Sequence, residues 1–134
     1  MNLKQIKNFN EALEIFLEID QFMTVARVHT LLSVYLNNLK TLGEVKAFYE
    51  NVNMDRASIS NATAARNISF WTEEAWLQSN GKRPQNYAAL EYSPDPEDRR
   101  NKRLNVTPMG QELITQVATR MEYQSQVDRR DIAL

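Results

Sequence analysis

Arg99, Arg100, Lys102 and Arg103 place four cations in five consecutive positions of a chain whose formal net charge is only −1. Such a cluster can neutralise backbone phosphates, and a guanidinium gains further where a narrow minor groove concentrates negative potential. No comparable excess precedes it: residues 1–53 hold five Lys or Arg against six Asp or Glu. The basic charge is therefore concentrated, and a protein that coats nucleic acid through bulk charge alone is not expected. Lys82 and Arg83 offer a second pair of cations for phosphate contacts. A different chemistry is available from Arg56, Ser58, Ser60, Asn61, Thr63 and Asn67, whose polar side chains suit phosphates and base edges in a major groove. Asn61 is the foremost base-reading candidate, because a carboxamide can pair in bidentate fashion with adenine.

Catalytic chemistry finds little support. His29 is the only histidine and there is no cysteine, so neither a thiolate site nor a His/Cys metal set can form. Glu73 and Glu74 are adjacent and would diverge on a helix, while Glu11, Glu14 and Glu18 with Lys7 form a solvated helix face. Three glycines in the whole chain leave no phosphate-cradling loop. No enzyme activity, cofactor or metal is expected.

The elements that position these residues follow from periodicity and capping. At 134 residues, 43% hydrophobic and 25% charged, the chain suits one globular domain. Ile6, Phe9, Leu13, Phe16, Leu17 and Met23 recur near helical spacing, and Val25, Val28, Leu32, Tyr35, Leu36 and Leu39 do so over 24–39, predicting two amphipathic helices. Thr41-Leu-Gly-Glu44 fits a capping box, with a third helix from Leu42 to a break at Asn51-Val-Asn53. Asp55 can cap a fourth helix over 56–68, giving a helix-turn-helix pattern. Tyr87 to Tyr92 and Arg103 to Val106 predict a hairpin with a basic tip, in which Pro94 and Pro96 interrupt regular pairing. Thr107 caps a last long helix with Pro108 at its first position, and the polar end from Tyr123 to Leu134 is expected to fray without a partner.

From Tyr87 to Ile114 the chain closely resembles the wing and following helix of MarR-type regulators. The resemblance rests on Asp98-Arg99-Arg100 at the tip and Leu104-Asn-Val-Thr107-Pro-Met-Gly110 behind it, and the helical order extends it more loosely to most of the chain. It implies a mainly α fold of five to six helices with a small β-hairpin, a winged helix-turn-helix. It also implies that Arg100 enters the minor groove, that Asp98 orients it, and that Arg99 and Lys102 lie nearby. Two departures stand out: Arg66 where the resembled proteins carry an apolar residue, and a longer link over 69–86 with Trp71 and Trp76.

The resemblance further implies a homodimer joined by its first and last helices, with Phe9, Leu13, Phe16, Leu113, Val117 and Met121 as interface candidates. The expected layout is one winged-helix domain over 1–134, with dimerisation helices at 1–23 and 107–134. Between them lies a DNA-binding lobe over 24–106, containing a helix-turn-helix at 41–70 and a wing at 87–106. The expected function is sequence-specific binding of double-stranded DNA at a near-palindromic site, regulating transcription by repression. Two alternatives stay open: a winged-helix module that binds a polymerase or repressor, and a replication or segregation protein. Many MarR-type proteins release DNA on binding a small aromatic ligand; Tyr35, Phe48 and the tryptophans could line such a pocket or simply pack the core, and no ligand is identifiable from the sequence. No run reaches the roughly 18 apolar residues of a membrane span, and Met1 to Lys7 lacks a signal-peptide core, so no membrane partner and a cytoplasmic location are expected.

Overall fold

The computed structural model describes residues 2–52, 59–72, 88–98 and 102–133, the last eleven of these and Val52 by backbone only. Helix α1 (Leu3–Ile19) starts at Asn2, whose side chain accepts the Lys4 and Gln5 amides at 3.0 and 3.4 Å. Helix α2 (Val25–Asn37) is capped by Thr24, which accepts the Arg27 amide at 3.2 Å, and is stopped by Asn38 in the left-handed region. Helix α3 (Leu42–Val52) has the expected Thr41 cap, bonded to the Glu44 amide at 3.0 Å. The Glu44 carboxylate accepts the Lys40 amide at 2.6 Å, one residue before the cap, so the reciprocal bond is shifted from the usual box.

Helix α4 (Asn61–Trp71) departs from expectation at both ends. Ser60, not Asp55, is its cap, accepting the Thr63 amide at 3.1 Å; Ile59 and Ser60 are non-helical and the helix continues three residues past Ile68. Asp55 itself lies outside the described residues. Strands β1 (Leu90–Pro94) and β2 (Lys102–Val106) form an antiparallel hairpin pairing Leu90 with Val106, Tyr92 with Leu104 and Pro94 with Lys102. Pro94 thus ends the ladder instead of preceding a disrupted one, as its missing amide proton allows. Helix α5 (Pro108–Ala133) runs on through the polar end that was expected to fray. Among the described residues there are five helices and one two-stranded sheet, the winged helix-turn-helix architecture.

One core joins these elements. Phe16 and Ile19 of α1, Leu31 of α2, Val45 of α3, Ile68 and Trp71 of α4, Leu90 and Leu104 of the hairpin, and Leu113 of α5 are buried together. Trp71 meets Phe16 edge to face with centroids 6.4 Å apart, and its indole N–H donates to the Arg27 carbonyl at 2.7 Å. Tryptophan at this position therefore packs the core; Trp76 lies outside the described residues. Phe48 likewise packs edge to face on Tyr49, and Tyr35 receives a long 3.5 Å contact from the Gln111 amide. The cleft between α1 and α5, about 370 Å³, is lined by Gln5, Asn8, Ala118, Met121 and Glu122.

Two expected interface residues are corrected by this packing. Phe16 and Leu113 are 3% and 1% exposed within the single chain, so they are spent on its own core. Phe9 and Met121 are 54% and 40% exposed, and Leu13 and Val117 are half-buried. Helix α1 carries two apolar faces side by side. Ala12, Ile15, Phe16 and Ile19 turn inward, while Leu3, Ile6, Phe9 and Leu17 form an exposed stripe at helical spacing. Among the described residues no helix is long and apolar enough to cross a membrane.

Candidate nucleic-acid interface

The fourth helix buries Ala64, Asn67, Ile68 and Trp71, which leaves Asn61, Ala62 and Arg66 on its exposed face with Thr63, Ala65 and Ser69 half-buried beside them. This corrects Asn67, which was expected to contact DNA. It is 5% exposed, and its amide donates to the Thr30 hydroxyl of α2 at 3.1 Å. The same rotation explains Arg66. The core-facing positions are 64, 67, 68 and 71, so Arg66 is not a core residue replaced by a cation but part of the outward face, and the polar exception falls at Asn67.

At the N-terminal end of α4 a short chain of bonds fixes the polar side chains. Ser60 Oγ donates to Thr63 Oγ1 at 3.0 Å, and an Arg66 guanidinium N–H donates to the same oxygen at 3.3 Å. Thr63 thus accepts twice and keeps its own proton for an outside acceptor such as a phosphate oxygen. Asn61 is exposed, with its amide 3.4 Å from the Glu50 carboxylate of α3. Bidentate pairing with adenine uses the carboxamide oxygen and one of its two N–H groups, which leaves the other N–H for this long contact. Arg56 and Ser58 lie outside the described residues.

The hairpin is held at three places. The Leu104 amide donates to the Lys40 carbonyl at 2.7 Å, which docks β2 on the connection between α2 and α3. At the root, Thr107 donates its amide to Ala89 O at 3.0 Å and its hydroxyl to Ala88 O at 2.6 Å, while accepting the Gly110 amide at 2.9 Å. Across the strands, the Asn105 amide donates to Ser93 Oγ at 2.7 Å. Lys102 and Arg103 are exposed beyond these anchors, and the Lys102 ammonium lies 5.9 Å from the Tyr92 ring centroid. Near the tip, Asp95 folds the chain by accepting the Glu97 amide at 2.9 Å, and Asp98 is exposed. Arg99, Arg100, Lys82 and Arg83 lie outside the described residues.

One cation joins the site that the sequence did not single out as a contact, Arg66. Arg103, one of the four clustered cations, faces solvent as strand alternation dictates, since Leu104 beside it is the inward residue. For Arg66 the signal was its place five residues after Asn61, readable only once the rotation of α4 is known.

No family model matches the chain, and no curated protein does. Similar solved structures include the transcriptional regulator Tm0710 from Thermotoga maritima, with a TM-score of 0.60 and 22% identity over 95% of this chain and 73% of that one. They also include Bordetella bronchiseptica BpsR, described with regulation of its DNA binding by 6-hydroxynicotinic acid, at a TM-score of 0.45 and 21% identity over 90% and 77% of the two chains. The first likeness shows the fold that the MarR-type resemblance implied; the second is too distant to add to it.

Proposed function

We propose that this chain is a sequence-specific double-stranded DNA-binding regulator of transcription. The observation that carries the proposal is that α4 turns Asn61 and Arg66 outward while a hairpin anchored to the same core holds Lys102 and Arg103 in solvent. In this reading Asn61 reads a base edge, Thr63, Arg66 and Arg103 contact phosphates, and the wing tip follows the adjacent minor groove with Arg99 and Arg100, Asp98 orienting Arg100 without touching DNA. The exposed stripe Leu3, Ile6, Phe9 and Leu17 joins two copies through 1–23 and 107–134, and residues 24–106 form the lobe that reads a near-palindromic site. A dimer seated on a duplex excludes other proteins from that stretch, which makes repression the natural direction.

Duplex binding at increasing salt tests the proposal. With roughly six to ten phosphate contacts, affinity should fall by about a thousandfold or more between about 50 and 200 mM salt. Absence of binding at low salt, or affinity indifferent to salt, contradicts it. A stable protein complex formed without DNA would favour the protein-interaction reading instead.

A further inference from the structure

A run of polar groups crosses the lobe from α2 through α3 to α4. His29 Nδ1 lies 2.9 Å from the Tyr49 hydroxyl, which lies 2.9 Å from Thr30 Oγ1, which in turn accepts the Asn67 amide at 3.1 Å. Thr30 Oγ1 also sits 2.9 Å from the Ala26 carbonyl, to which only it can donate. Thr30, Tyr49 and Asn67 are all buried, while His29 at the end of the run is exposed.

The protons in this run can be counted. A hydroxyl has one proton, and Thr30 uses it on Ala26 O. Thr30 Oγ1 must then be an acceptor for both of its other neighbours, so Tyr49 donates to it. The Tyr49 oxygen is left as an acceptor toward His29, and Nδ1 of His29 must carry a proton. This arrangement makes all four short contacts into hydrogen bonds. Reversing the Tyr49 proton toward His29 either sets two hydroxyl lone pairs against each other at 2.9 Å or takes the Thr30 proton away from Ala26. Burial pushes the Tyr49 phenol up, in keeping with a hydroxyl that stays protonated as a donor. Ser33 Oγ, 3.4 Å from Nδ1, is too distant to displace the shorter bond.

We infer that this directed chain, His29 to Tyr49 to Thr30 with Asn67 joining from the other side, sets the rotation of α4 and holds His29 as its Nδ1–H tautomer. Apolar packing through Ala64 and Ile68 tolerates a few degrees of roll, whereas the Asn67 amide must face its buried Thr30 acceptor, and at the far end of α4 the Trp71 indole N–H to the Arg27 carbonyl acts in the same sense. Fixing Asn67 fixes Asn61 and Arg66 on the opposite side. The role rests on the proposed reading of DNA by α4, and Thr30, Tyr49 and Asn67 are its positioning residues.

Two measurements test it. His29 is the only histidine, so its ring nitrogens can be read by nitrogen NMR without ambiguity. In mildly alkaline buffer the unaltered protein should show a protonated Nδ1 and an unprotonated Nε2, and Tyr49→Phe should relax this toward the other tautomer. In parallel, Thr30→Val, which keeps shape but loses the hydroxyl, should lower the ratio of selected-site to unrelated-duplex affinity by about tenfold while unrelated-duplex affinity holds; Thr30→Ser should restore the ratio. A merely structural role would leave that ratio unchanged in folded protein. An Nε2–H tautomer in the unaltered protein, or full selectivity in Thr30→Val, overturns the inference. Absence of any duplex binding by the unaltered protein overturns the DNA-reading function and the positioning role with it, whatever the tautomer.

Discussion

The α-carbon of Gly110 lies so close to the carbonyl of Ala89 that a β-carbon at this position would collide with the carbonyl oxygen. The root of the hairpin is thereby pressed onto the first turn of α5, where Thr107 takes up the Ala88 and Ala89 carbonyls. The spacing of Thr107 and Gly110 has one physical meaning: the hydroxyl caps the helix and latches the strand, and the missing side chain admits the strand.

Gly110→Ala is therefore expected to destabilise the fold by about 1–3 kcal/mol, because the colliding atom is backbone and cannot rotate away. In an ordinary helix interior the same change stabilises by about 1 kcal/mol. Urea unfolding decides between the two signs.

Thr107→Val keeps the volume but removes both hydroxyl bonds. A loss of about 1–3 kcal/mol should follow from the uncapped α5 terminus and the orphaned Ala88 carbonyl. Thermal unfolding that matches the unaltered protein would contradict the latch.

Raising the pH should weaken the fold through Tyr49. Its folded-state pKa lies above the ordinary phenol value of about 10, chiefly because burial disfavours the phenolate. The contribution is whole below that ordinary value and is lost as pH rises through the higher folded one. Unfolding measured across this alkaline range should show less of this loss in Tyr49→Phe; an identical pH profile in the variant would contradict the assignment.

Arg103→Ala should weaken binding to all duplexes alike and reduce the salt slope by about one unit. Asn61→Ala should instead relax preference at one base position. Equal losses on every sequence from Asn61→Ala would remove its base-reading role.

Phe9→Glu should leave the fold intact, since Phe9 is exposed in the single chain. It should shift sedimentation toward monomer and cost about a hundredfold in affinity for a two-half-site duplex, the avidity of the second lobe. An unchanged sedimentation profile would place the contact between copies elsewhere.

What could be read before the structure was local chemistry. The caps at Thr41 and Thr107 each depend on neighbours within a few residues, and the Tm0710 likeness bears out the fold that the MarR-type resemblance implied. The start of α4 was misplaced because Asp55 and Ser60 are equally good caps by type, and tertiary packing chooses between them. Asn67 was misassigned for the same reason: its burial follows from the rotation of α4, which a buried partner on α2 determines. Phe16 was offered to a partner because α1 has two apolar faces, and periodicity alone does not say which one the chain keeps for itself.

Selection of bound sequences from a random duplex pool tests the central claim most directly, since it probes binding and sequence preference together. The predicted result is enrichment of two inverted half-sites whose centres lie about one helical turn apart, roughly 10 base pairs. Recovery of a pool indistinguishable from the input would contradict it.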